Sequence, residues 1–254
     1  MKKLLWLVLV LLAAAALAAW RMPAGFALDQ LSPHLAGLSW RDASGTVWDG
    51  EANGVTWRGL RLGRVGWDLR RVESWREPRT RWGFSGEGVD YRVVGEVSVG
   101  RDDRVELHGV QGALPAAWAD LGGALPLVYL TGAFDLDLAR LRVEGRLPVA
   151  ADGAMTWRDA GLGGAVKESL GDVGFHVETP DGGPVRFRFA SIGRPPIAVD
   201  GLGELRGDTY TVDAYLTVPP GRDELYALFE STAERLPDGR LRFAFSGRLL
   251  PGEP

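Results

Sequence analysis

The sequence predicts a mainly β protein: an N-terminal transmembrane helix, then a long twisted antiparallel sheet built from two related β-rich units, each with one short helix. Three observations carry that prediction. An uncharged apolar run, Leu4 to Trp20, follows Lys2 and Lys3. From residue 39 onward apolar and polar residues alternate with a period of two, the mark of strands with one dry and one wet face. A Trp- and Gly-rich pattern within residues 45–70 returns, in weaker form, about a hundred residues later.

Composition bounds the rest. The chain has 254 residues, 46% of them hydrophobic, enough for one sizeable core or two small ones. With 24% charged residues it is not a disordered chain. A net charge of −4 without a basic tract gives a nucleic-acid role little electrostatic support, so no nucleic acid is expected as partner. Cysteine is absent, which excludes disulfides, thiol redox chemistry and Cys-ligated metals.

The 17 apolar residues from Leu4 to Trp20 would cover roughly 25 Å as a helix, the short end of a bilayer span. Two readings compete. A signal peptide would be cut after Ala18, because Ala16-Leu17-Ala18 fits the small-x-small rule. A retained anchor explains more: the run exceeds the usual signal core of about 7–15 residues, and Trp6 and Trp20 bracket it as interfacial residues do. Lys2 and Lys3 before the span, against Arg21 after it, favour a cytoplasmic N-terminus. The expected organisation is an anchor over 1–21, a membrane-proximal linker or short helix over 22–39, and periplasmic β-rich units over 40–140 and 141–254.

Residues 24–38 read as a short helix or turn, broken by Pro33. Strands follow around Leu60, Leu62, Val65 and Trp67, then over 89–98 and 104–109, with a turn from Gly100 to Asp103. Tryptophans at 40, 48, 57, 67, 75 and 82 recur once per strand and turn, the rhythm of an antiparallel meander. Pro115 and the Gly122-Gly123 pair predict a short helix over 112–122. Phe134, Leu136 and Leu138 alternate with Asp135 and Asp137 in the next strand. Cleaner alternation marks strands around Val173–Val177, Val185–Phe189 and Tyr210–Val218. A helix is expected over 223–236, with Asp223 as N-cap and Leu225, Leu228, Phe229, Thr232 and Leu236 facing inward. Asp238-Gly239 then turns the chain into a last strand holding Leu241, Phe243 and Phe245.

The repeat rests on two matches. GVTWR at 54–58 matches AMTWR at 154–158, and LGRVGW at 62–67 matches LGDVGF at 170–175. Order is preserved.

No catalytic, cofactor or metal site is identified. Gly83-Phe84-Ser85-Gly86 falls one residue short of a nucleophile elbow. Gly161-Leu162-Gly163 and Gly201-Leu202-Gly203 lack the third glycine of a dinucleotide fingerprint. His34, His108 and His176 stand apart, without the spacing of metal ligands. Asp135 with Asp137, and His176 with Glu178, share strand faces as solvated or rim groups. No cofactor is expected, and the chain is read as no enzyme.

Gly45-Thr46-Val47-Trp48, with Gly50 and Ala52, is followed by Leu62, Gly63, Val65, Trp67 and Leu69. Gly153, Trp157 and Ala160 come next, then Leu170-Gly171, and Asp238 to Gly247 closes the series. Behind a single N-terminal anchor, this order resembles the N component of bacterial type II secretion systems. The resemblance implies a bitopic inner-membrane protein with a periplasmic β-rich domain and no known active site. It also implies partners among the inner-membrane platform proteins, with the outer-membrane secretin as a further candidate. The first functional expectation is therefore a membrane-held scaffold whose sheet edge pairs with partner strands. The alternative is a lipid- or hydrophobic-ligand-binding or transfer module using the dry sheet face, lined by Phe187, Phe189, Val212 and Leu216. That alternative weakens if the helices over 112–122 and 223–236 cap the face.

Overall fold

The computed structural model describes residues 21–34, 36–73, 79–100, 104–119, 128–145, 147–164, 167–221, 226 and 233–249. The expected anchor over 1–21 lies, but for Arg21, outside them, and among the described residues no helix is long and apolar enough to cross a membrane. The architecture is mainly β, a large antiparallel sheet with few helices. The chain divides into two compact units, Met1–Val94 and Gly95–Pro254.

In the first unit, α1 (Ala24–Leu31) and a 3-10 turn (Ser32–His34) fill the stretch expected to hold a short helix or turn. Strands β1 (Leu38–Ser39) and β2 (Asp42–Gly45) both pair with β3 (Asp49–Trp57), which pairs with β4 (Leu60–Glu73), and β4 with β5 (Arg79–Glu87). Tight approaches explain several glycines. A Cβ on Gly50 would stand 2.7 Å from the Trp67 ring, whose indole N–H donates to the Val47 carbonyl at 3.0 Å. Trp48 and Trp82 stack with centroids 6.2 Å apart. Gly63, at φ 67°, sits at a register shift between β3 and β4. The strand expected from 89 begins only at Arg92 as β6 (Arg92–Val99). Tyr91, 7% exposed, is instead held in the preceding turn by donating to the Leu62 carbonyl at 2.5 Å.

The second unit is a meander: β7 (Arg104–Pro115), β8 (Val128–Glu144), β9 (Leu147–Gly164), β10 (Glu168–Glu178), β11 (Val185–Ile192), β12 (Ala198–Arg206) and β13 (Thr209–Thr217). Each pairs antiparallel with the next. Strand β15 (Leu241–Arg248) lies beside β13, and the short β14 (Glu234–Arg235) lies on its far side. The core gathers in three places: Ala116, Trp157, Ala160 and Val173; Ile197, Val218 and Leu241; and Ala151, Val185 and Leu205.

Two helix expectations are corrected. Residues 112–115 continue β7, with Ala113 opposite Asp135 and Leu114 opposite Phe134, and only Ala116–Trp118 turn, as a 3-10 helix. Pro115 is extended, at φ −59° and ψ 132°, so it terminates a strand here instead of opening a helix. Pairing with β8 outweighs the local Pro/Gly signal; residues 120–122 lie outside the described residues. The helix expected over 223–236 also lies largely outside them. Of the described residues Tyr226 is helical, whereas Glu234–Arg235 are a strand paired with β15 and not the end of a helix.

The repeated segments pair in different registers. Val55 faces Gly63 in β3–β4, whereas Met155 faces Phe175 in β9–β10, and Gly171 lies opposite Ala160.

Candidate functional site

The registers of the second unit line up side chains across eight strands. One row runs Gly112, Leu136, Met155, Phe175, Phe189, Gly201, Ala214 and Phe243, from β7 to β15. The next row on the same face runs Val110, Leu138, Gly153, Val177, Phe187, Gly203, Val212 and Phe245. Neither row contains a charge or a polar side chain. Between them, on the opposite face, runs Gln111, Asp137, Ala154, His176, Arg188, Leu202, Asp213 and Ala244. The face assignment follows from directly opposed Cα partners pointing the same way.

Most residues of the two apolar rows are half-buried, and Phe245 is 50% exposed. Phe175 and Phe189 stack at 5.5 Å, and Phe134 and Trp157 meet at 5.6 Å beside them. Phe189 lies over Gly201, where an added Cβ would stand 2.5 Å from its ring, and Phe187 covers Gly203 more closely still. Gly201 and Gly203, which lack the third glycine of a dinucleotide fingerprint, are thus seats for aromatic rings within β12. Gly161 and Gly163 are likewise strand residues of β9, with the Tyr129 ring over Gly163. Beyond Phe189 the face sinks into an open cavity of about 190 Å³ lined by Trp157, Leu170, Val173, Phe175, Phe189, Val199, Ala214, Tyr215, Leu216 and Phe243.

All four residues expected on the dry face are there: Phe189 and Leu216 line the cavity, while Phe187 and Val212 lie in the adjoining row. Of the cap expected from 112–122, the described residues form a 3-10 turn, which buries Ala116 against Trp157, Ala160 and Val173. Tyr226 packs against Ile197, Val218 and Leu241 at one corner. The contribution of β9 to the face is hard to see in the sequence. Only 154–158 stands out there, because Gly and Ala dilute the alternation of the rest.

The opposite face is charged and internally compensated. Arg242 donates two bonds of 2.9 Å to Asp213, whose carboxyl is thereby held below the usual range, while the Arg242 guanidinium is pushed up. Partial burial raises the Asp152 pKa, but Arg140 at 2.7 Å and the Thr179 N–H outweigh it and hold that carboxyl low. Asp135 pairs with Arg158, and Asp137 accepts a bond from Gln111 at 3.1 Å. The acidic pair singled out in the sequence is therefore bound up in cross-strand contacts. His176 stands 3.9 Å from Glu178, and His108 3.9 Å from Glu106. Among the described residues no three His, Asp or Glu side chains converge.

The outer edge of β15 is a second feature. Only Leu241 and Arg242 pair with β14; from Ala244 onward no described strand covers that edge.

The family described as "Type II secretion system (T2SS), protein N" matches residues 36–244. The type II secretion system protein N of Vibrio cholerae serotype O1 is 31% identical over 145 residues. That match spans 56% of this chain and 56% of the Vibrio protein, little more than half the length of each. No solved structure matches the chain. The order of glycines and tryptophans from Gly45 to Gly247 that resembled this family lies almost wholly within the matched span, and the chain belongs to the type II secretion system protein N family.

Proposed function

We propose that the chain is a non-enzymatic scaffold of the type II secretion system, anchored in the inner membrane by residues 1–21 with its β-rich remainder in the periplasm. Its partners in this reading are the inner-membrane platform proteins, and the secretin is a further candidate. The observation that carries the contact mode is the outer edge of β15, where backbone donors and acceptors beyond Arg242 meet no described strand. Such an edge recruits an extended segment by strand addition, since each new ladder bond satisfies groups that otherwise face water. Ala244 and Ser246 are exposed, so charges placed there hinder pairing without disturbing the core.

The test is affinity capture of the full chain from crosslinked membranes under native expression. Platform or secretin subunits are expected to co-purify, and the double variant Ala244→Lys, Ser246→Lys to lose them at unchanged thermal stability. Capture undiminished in the variant would rule out the β15 edge. Absence of every secretion-system subunit from the wild-type capture would rule out the scaffold.

A further inference from the structure

We propose that the uncharged face of the second unit is a groove for a lipid acyl chain, seated in the cavity between Phe189 and Phe243. This goes beyond the scaffold reading and stands on separate observations. The two apolar rows cross eight strands, about 34 Å along the sheet at the usual strand spacing. That exceeds the length of one chain in a bilayer leaflet, about half of a roughly 30 Å hydrocarbon core. Neither apolar row carries a charge, whereas on the opposite face Asp137, Arg188 and Asp213 share one row. An occupant that complements the dry face is therefore neutral along its length.

Backbone chemistry narrows the occupant further. N–H and C=O groups within the sheet are spent on its own ladders, which lie in the plane of the sheet. The two rows offer no charged, hydroxyl or amide side chain, so an extended peptide laid across them would bury its own backbone groups without partners. A hydrocarbon chain carries no such groups. The cavity floor is set by Ala214, the smallest side chain of its row besides glycine, and Leu216, Val199 and three phenylalanines, Phe175, Phe189 and Phe243, wall it. Its volume of about 190 Å³ admits about six groups the size of a water molecule, each near 30 Å³. That suits a run of methylenes and is far too small for a folded partner.

The experiment uses the full chain in its native membrane and a palmitic acid carrying a photoactivatable diazirine. After irradiation, label is expected on peptides from 170–216 and 241–249. Ala214→Trp fills the floor and should reduce that label by about tenfold, as expected when two methylenes lose their seat. Leu202→Trp, on the opposite face and 61% exposed, should leave it unchanged. Urea unfolding of each variant shows whether it folds; if Ala214→Trp does not, Ala214→Leu should give a smaller loss in the same direction. Label confined to residues 4–20, or equal label in wild type and the filled variants, would overturn the proposal. So would an unlabelled wild-type dimer that Ala214→Trp converts to monomer, because a second copy would then cover the face.

Discussion

Trp57 and Trp157 share the local sequence Thr-Trp-Arg, yet Trp57 is 40% exposed and Trp157 is 8% exposed. Trp157 packs on Ala160 and Val173 and donates its indole N–H to the Thr131 carbonyl at 2.7 Å. Trp57 lies next to a two-residue turn with Arg58 over its ring at 5.4 Å. Trp157→Ala should cost about 3–5 kcal/mol through the cavity it leaves, and Trp57→Ala about 1 kcal/mol or less. Urea denaturation of the two variants tests the contrast, and equal losses would contradict it. Asp152 and Asp213 belong at this scale too. Their folded pKa values are depressed, so their contribution is present above the unfolded Asp value of about 3.9 and fades as pH falls through the lower folded values. Asp213→Asn should therefore lower stability at neutral pH and flatten its decline below about pH 4. Unfolding midpoints measured from pH 7 to pH 2 would show it; an unchanged acid slope would count against it.

Strands in this protein are bounded by backbone demands as much as by hydrophobic pattern. Arg58 and Gly59 join β3 to β4 with φ values of 48° and 86°, both in the left-handed region that a two-residue hairpin of the primed type requires. Glycine meets that demand without strain, and arginine does not. Arg58→Asn should stabilise the chain by about 0.5 kcal/mol, despite losing the contact with Trp57. Thermal unfolding is the check, and a lowered melting temperature would mean that the Arg58–Trp57 contact outweighs the turn. The 112–122 stretch shows the opposite balance. Pro115 looks like helix punctuation in one dimension, but it is extended and, with Gly112, sits in a ladder with β8. Local composition does not record which strand will arrive alongside.

At the scale of the whole molecule, the anchor expected over 1–21 and the family's place in secretion bear on each other. A retained anchor, as proposed, would hold both units near the inner membrane, where platform proteins would be within reach. Intact-mass measurement of the protein purified from membranes should give the full 27.5 kDa chain. A species beginning after Ala18 would mean a cleaved signal instead. The two units differ in kind. The first contains the Trp/Gly-rich stretch that marks the family, with Trp48, Trp67 and Trp82 packed within it. The second holds the long uncharged face and the open edge of β15. The family-marking residues reach the candidate site as well: Gly153 lies in the second apolar row, and Trp157 and Leu170 line the cavity.

The sequence by itself determined the class of the fold, the alternation of most second-unit strands and, through Phe187, Phe189, Val212 and Leu216, part of the dry face. These are legible because side-chain direction in a strand depends only on local stereochemistry, with a period of two. Tertiary structure alone decided that Met155 stands beside Phe175, that Gly201 and Gly203 seat two phenylalanine rings, and that the apolar rows stay aligned across eight strands. Register is a property of pairs of strands, set by hairpin length and by bulges such as those at 131/133 and 138/140 in β8. A slip of one residue in any pairing would turn that strand's apolar set to the charged side, so the continuity of the face belongs to the ladder and not to any single strand.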